Sequence, residues 1–273
     1  MEFEITIFIV FSSKFLNIAG KIGEFEYAIC KKYGDEVKNN IYTIPTSGLT
    51  YECTRKMFQF LGIPIENIFS DFTSYDLIDE TKKEYIMERL KNIGFDVTLG
   101  NPPYQDNQAS DDTRINRAFA SAIYPSIIDV SRDLNTKYIS MITPSRWMTK
   151  TGQGVSHEWV DEMIATNHFV IINDYYDALD CFKGVEIKGG VSYFLYNNEY
   201  NGKCMYSLHQ NGIISSNYDY LNALKAGIVI RDTIAPRIIK KLMAIEGDTY
   251  INNSFSKYVG PQHFFDNEKY PKK

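Results

Sequence analysis

The sequence has no cysteine clip, no long hydrophobic run and no surplus of positive charge, and each absence closes a class of function. Its four cysteines, Cys30, Cys53, Cys181 and Cys204, form no CxxC pair, and no histidine sits at zinc-finger spacing from them. They read as buried free thiols of a reducing compartment. His157, His168, His209 and His263 make no HExxH pattern, so no metal site is expected. The longest early apolar run, Ile5 to Phe11, is too short to span a bilayer. Glu2 and Glu4 precede it, where a secretory signal would carry positive charge. A soluble, cytoplasmic protein with no membrane partner is expected. Lys and Arg number 29 against 34 Asp and Glu, a formal net charge of -5. That argues against a chain that coats nucleic acid by bulk electrostatics, while leaving room for a local basic groove.

What is present is 273 residues, 44% hydrophobic and 23% charged. This excludes a disordered tail or a small disulfide scaffold and suffices for one large domain or two small ones. Short apolar runs alternate with amphipathic stretches. Strands are expected at Phe15–Ala19, Asn40–Ile44, Asn67–Ser70, Phe95–Leu99, Tyr138–Thr143 and Phe169–Asp174. Helices are expected at Glu24–Tyr33, Leu49–Leu61, Glu80–Lys91, Asn116–Leu134, Trp159–Thr166 and Arg231–Ile245. Repeated β-α-β predicts an α/β fold with a mostly parallel sheet covered by helices. Gly190–Tyr196 and Lys203–Leu208, around Asn197, Asn198, Asn201 and Gly202, predict a C-terminal antiparallel hairpin closing it.

The sharpest feature is Asn101-Pro102-Pro103-Tyr104, just after the strand FDVTLG. Ligands of open parallel sheets bind outside the carboxyl ends of strands. Two prolines fix the loop backbone and can aim a carboxamide and a carbonyl at one spot. Two such acceptors suit an NH₂ group, and the ring of Tyr104 suits stacking on a planar base. The competing reading is an ordinary proline turn that ends a strand.

Here the sequence resembles a family. GNPPY after a hydrophobic strand is similar to motif IV of the amino-methyltransferases that use S-adenosyl-L-methionine, in particular the gamma-type DNA adenine-N6 methyltransferases of restriction-modification systems. Phe15 to Phe25, with Gly20 and Gly23, resembles the motif I glycine loop. Ser74-Tyr75-Asp76-Leu77 resembles motif III, Pro144-Ser145-Arg146-Trp147 the PSRW segment, and Val185 to Leu195, with Gly189 and Gly190, the motif VIII hairpin. The five segments occur in the family's order over roughly residues 12–210. Asn17 stands where the family commonly has Asp, and Lys21 separates the glycines.

The resemblance implies a Rossmann-like methyltransferase fold and methyl transfer to the N6 amino group of a flipped-out adenine in DNA. It implies that Asn101 and the Pro102 carbonyl accept the amino hydrogens, that Pro103 shapes the loop and that Tyr104 stacks on the extruded base. Gly20 and Gly23 would admit the methionine part of the cofactor, and Asp76 would accept from its adenine amine. Arg146 and Trp147 would line the site or contact the strand, against a reading of Trp147 as packing and Arg146 as surface charge. The ribose contact stays open among Thr46, Ser47 and Glu52.

Three other readings stand beside this one. Asp180, Glu186 and Lys188 could be read as a metal nuclease core, although the proline of that signature is missing and the residues fall in the motif VIII segment. An amino-methyltransferase for protein glutamine or RNA shares NPPY. A remnant that needs a partner is the third possibility, since the family extends on both sides of these motifs. On this reading residues 1–250 form the catalytic domain and 251–273 begin a truncated target-recognition region. Weak, unspecific DNA binding without a recognition subunit or domain is then expected.

Overall fold

The computed structural model describes residues 12–105, 122–182 and 184–247. The chain divides into a unit of residues 1–231 and a second unit of residues 232–273. In the first, the chain runs β1 (Phe15–Gly20), α1 (Glu24–Tyr33), β2 (Ile41–Pro45), α2 (Gly48–Leu61), α3 (Lys83–Ile93), β3 (Val97–Gly100), α4 (Tyr124–Asp133), β4 (Tyr138–Pro144), α5 (His157–Ala165), β5 (Phe169–Tyr175), β6 (Val191–Asn197), β7 (Cys204–Gln210) and β8 (Ile213–Asp219). The strands form one sheet in the order β2-β1-β3-β4-β6-β5-β7-β8. Only β6 and β8 run against the others.

Alternation along the strands puts apolar residues on both faces, as a sheet covered on both sides requires. Leu16, Ile18, Ile139 and Met141 face a core shared with Ile86 and Leu90 of α3, Ile127 and Ile128 of α4 and Met163 and Ile164 of α5. Phe15, Val97 and Leu99 face the other way, against Ile29 of α1 and Phe58 of α2. Local signals set the helix boundaries. Ser47 caps α2 by accepting from the Thr50 amide, and Thr50 returns its hydroxyl to the Ser47 amide. Gly62 ends that helix in the left-handed region, at φ 70°.

Several expectations are corrected. Residues 67–70 form no strand; Ile68 makes only an isolated parallel bridge to Thr43. The third helix starts at Lys83, because Thr81 and Lys82 fold back onto Asp79. Of the helix expected over 116–134, residues up to 121 lie outside the described residues, and α4 begins at Tyr124 with proline in its first turn. The strands at 190–196 and 203–208 do not pair with each other. β6 inserts between β4 and β5, antiparallel to both, and β7 lies beyond β5. A strand as buried as β6 needs a neighbour on each edge, which a terminal hairpin would deny it. The antiparallel hairpin is β7–β8, turned at Asn211 and Gly212, both with positive φ.

In the second unit, α6 (Ala235–Glu246) carries Pro236 in its first turn, so the helix starts there rather than at Arg231. Ile234, Ile238 and Leu242 are exposed. Residues 248–273 lie outside the described residues, the expected recognition region among them. Among the described residues no helix is long and apolar enough to cross a membrane.

Candidate active site

The parallel strands β1, β2, β3 and β4 end on one edge of the sheet, at Gly20, Pro45, Gly100 and Pro144. Asn101-Pro102-Pro103-Tyr104 leaves β3 there and forms one wall of a cavity of about 260 Å³. Lys21 from the loop after β1 and Phe182, Val185 and Ile187 from the segment before β6 complete it. The Asn101 side-chain oxygen is buried and has no hydrogen-bond partner among the described residues. Leaving a buried acceptor unmade costs roughly 1–3 kcal/mol, so this oxygen suits a ligand that brings an N–H donor. Burial pushes the Tyr104 phenol well above its ordinary range, and its ring stands edge-on to Tyr124 at 6.5 Å.

Phe182 gives the cavity a second aromatic wall. It packs with Ile142, Ala178 and Val191 in a small apolar cluster under the site. The sequence reading passed over it. Its only signal was an aromatic residue shortly before the paired glycines.

The glycine loop is tight for internal reasons. A Cβ at Gly20 would overlap the methyl of Thr43, and one at Gly23 (φ 90°) would overlap the side chain of Met57. Both glycines therefore seat the loop on β2 and α2, and α1 follows at Glu24 as expected. Beneath the loop Asn17 donates to Glu26 at 2.8 Å and accepts from the Ala19 amide at 3.1 Å. Thr43 donates to the same Glu26 oxygen. Glu26 is 0% exposed and its second oxygen has no partner. Burial holds its carboxyl above the usual range, against the opposing hydrogen bonds from Thr43 and Asn17. Asn17, at the position where the resembled family commonly has Asp, is thus bonded to a buried acid of α1.

The PSRW segment and the paired glycines form one mechanical unit. The Ser145 amide donates to the Gly190 carbonyl at 3.1 Å. A Cβ at Gly190 (φ 83°) would overlap the Tyr175 carbonyl, and one at Gly189 (φ 87°) would overlap the aliphatic stem of Arg146. The Asp174 carboxylate, 0% exposed, ties the unit together. It accepts from Ser145 (2.6 Å), from Tyr206 (2.6 Å) and twice from Arg231 (2.6 and 2.9 Å). Arg231 also donates to the Gly189 carbonyl at 2.7 Å. Neither Asp174 nor Arg231 was singled out in the sequence, because their partners are distant along the chain.

Arg146 lines a second cavity, of about 300 Å³, on the other side of Tyr104, with Tyr124, Glu186 and Lys188. Trp147 lines neither cavity. It is 1% exposed, stacked on Phe169 at 5.7 Å and edge-on to Trp159. This is the packing alternative weighed above.

Asp76 lies two residues beyond Ser74, whose hydroxyl bonds the Ile18 carbonyl at 2.7 Å. The Asp76 carboxylate accepts from the Thr73 amide and hydroxyl and pairs with Lys82 at 2.5 Å. Burial opposes its charge, but the bonds from Lys82 and Thr73 prevail and hold it below the usual range. Of the ribose candidates, Ser47 is used by the cap of α2, Thr46 reaches Thr50 at 3.2 Å, and Glu52 pairs with Arg55 at 2.7 Å. Glu186 and Lys188 of the nuclease reading share the second cavity. Asp180 lies in a short turn (Ala178–Asp180) and lines neither cavity.

The model of one family, the Eco57I restriction-modification methylases, matches residues 28–182, more than half of the sequence. The chain belongs to the Eco57I restriction-modification methylase family. A curated relative, an uncharacterized adenine-specific methylase of Mycoplasma pneumoniae, is 35% identical over 135 residues, which are 48% of this chain and 31% of the relative. The chain therefore spans about a third of the length of that relative.

Solved structures share the fold. The type IIG restriction endonuclease BpuSI is 13% identical, with a TM-score of 0.54, over 89% of this chain and 32% of that one. The methyltransferase subunit of a type I restriction-modification system from Streptococcus thermophilus is also 13% identical, with a TM-score of 0.51, over 86% and 48%. The Eco57I-family match includes Asp76, Asn101 to Tyr104, and Arg146 with Trp147. Gly20, Gly23 and the paired glycines lie outside it.

Proposed function

We propose that this chain is the catalytic core of a DNA adenine-N6 methyltransferase that uses S-adenosyl-L-methionine and acts on an adenine extruded from the duplex, within a restriction-modification system of the cytoplasm. The observation that carries this reading is the buried Asn101 oxygen, without a partner among the described residues, in a cavity at the carboxyl ends of parallel strands that Tyr104 and Phe182 also line. Among the described residues the lining suits the group and its substrate: one amide acceptor, one cation and two rings, with no carboxylate on the wall.

Bound in this cavity, the cofactor would supply an electrophilic methyl group. The chain's residues do the rest. The Asn101 oxygen and the Pro102 carbonyl accept the two N6 hydrogens, which draws electron density onto nitrogen and fixes its lone pair for attack. On transfer the nitrogen would shed one of the two hydrogens that Asn101 and the Pro102 carbonyl hold. Tyr104 and Phe182 hold the base from its two faces, and Pro103 keeps the loop stiff. Gly20, Gly23 and Asp76 hold the cofactor's methionine and adenine ends. Arg146 and Lys188, on the far side of Tyr104, face the DNA strand, and a recognition subunit or domain supplies most of the backbone contacts.

The test is Asn101→Ala. Methyl transfer from labelled cofactor to DNA should be lost while calorimetric cofactor binding persists. Wild-type turnover in the variant would defeat the assignment. The same assay with RNA and with a release-factor-like protein as acceptors separates the DNA reading from the other amino-methyltransferases.

A further inference from the structure

Lys21 interrupts the glycine loop, and its place in the fold gives it a task. It stands on the cavity wall together with Asn101, Pro103, Tyr104 and Phe182. Its backbone carbonyl is held by the Thr54 hydroxyl at 3.4 Å. Among the described residues its ammonium makes no ion pair and no hydrogen bond. It is more than half buried, and desolvation pulls its pKa down against the pull of Glu24 in the other direction. The Glu24 carboxylate is turned to the Ile22 amide at 3.3 Å. Among the described residues the cavity thus presents one cation and no acid, an arrangement favourable to an anion.

We propose that Lys21 binds the carboxylate of the amino-acid part of the methyl donor and so orients that part against the wall opposite Asn101. The proposal rests on the cofactor reading above and deepens it. The donor has a single anionic group. Four bonds separate that carboxylate carbon from the sulfur, a span of roughly 5 Å, so both ends fit within one cavity of this size. Lysine suits this role better than a backbone amide alone, because it adds charge to the contact.

The experiment is titration calorimetry on the full chain and on Lys21→Met, which keeps the length of the stem. Three ligands are compared: S-adenosyl-L-methionine, S-adenosylhomocysteine and decarboxylated S-adenosylmethionine. The expected result is at least tenfold weaker binding of the two carboxylate-bearing ligands by the variant, with the decarboxylated ligand bound within about twofold of wild type. That third ligand also shows that the variant is folded. Lys21→Arg should recover most of the loss. An equal loss for all three ligands would make Lys21 a packing residue and overturn the proposal. So would no change, or a selective gain for the sulfonium over the thioether, which would mark like-charge repulsion. If wild type binds none of the three, it is the cofactor reading itself that falls, and the proposal with it.

Discussion

Arg231→Met tests the tie beneath the site. The substitution removes the two hydrogen bonds from Arg231 to Asp174 and the one to the Gly189 carbonyl. The Asp174 carboxylate stays fully buried with only the hydroxyls of Ser145 and Tyr206 to satisfy it. Removing one partner of a buried ion pair typically costs about 3–5 kcal/mol. The two remaining donors place this case near the lower end, at about 3 kcal/mol. That is a large share of the roughly 5–15 kcal/mol that separates folded from unfolded domains. With a urea slope of about 3 kcal/mol per molar for a chain of this size, the midpoint should fall by about 1 M with little change in slope. Adding Asp174→Asn to Arg231→Met should recover part of the loss, because the uncompensated charge is then gone, so the two changes should be strongly non-additive. A loss below about 1 kcal/mol, or simple additivity, would refute the view that this carboxylate is desolvated and held by the guanidinium.

The other predictions concern single groups. Gly190→Ala should destabilise by about 2 kcal/mol or more, since its Cβ meets a backbone oxygen that cannot move aside, at a positive φ unfavourable to alanine. Gly189→Ala should cost about 1 kcal/mol in stability, since the flexible Arg146 stem can give way, but should weaken DNA binding in a fluorescence anisotropy titration; equal stability losses for the two variants would contradict this division of roles. Burial raises the Glu26 pKa, so the folded state holds that proton more tightly than the unfolded chain does; the contribution is full at acid pH and is lost as pH rises through the raised value. Glu26→Gln should therefore flatten the decline of the urea midpoint as pH rises above the ordinary carboxylate range, and parallel declines in the two proteins would count against it.

The segment from Asn101 to Tyr104 that lines the first cavity stood out in the sequence because its signal is local. Asn101, Pro102, Pro103 and Tyr104 are consecutive, and the strand before them is a continuous apolar run, so chemistry and position could be read together. The helices α1 and α2 were legible for the same reason, from apolar spacing; the cap at Ser47 came only with the structure. What escaped was set by pairing across the chain. The sequence of β6 reads equally well as a hairpin partner of β7 or as an inserted central strand, and only the competition for strand edges decides. Asp174 and Arg231 look like ordinary surface charges until the fold brings them together. Glu26 sits on the inward face of an otherwise charged helix, where the pattern suggested solvent. Trp147 lies beside Arg146 in sequence, yet the short helical turn after β4 sends the two side chains to opposite destinations.

The insertion of β6 also constrains how the molecule can be assembled. β4 gains its second neighbour only after the chain has built β5 and turned back, so during synthesis the middle of the sheet stays open until the residues past Asn197 have emerged. Closing it requires β6 to pair with both β4 and β5, a non-local step of the kind that slows folding and leaves apolar edges exposed meanwhile. The two cavities cannot form before that step, since the segment carrying Phe182, Ile187 and Lys188 leads directly into β6. An intermediate arrested there would have most of its helices and no competent pocket.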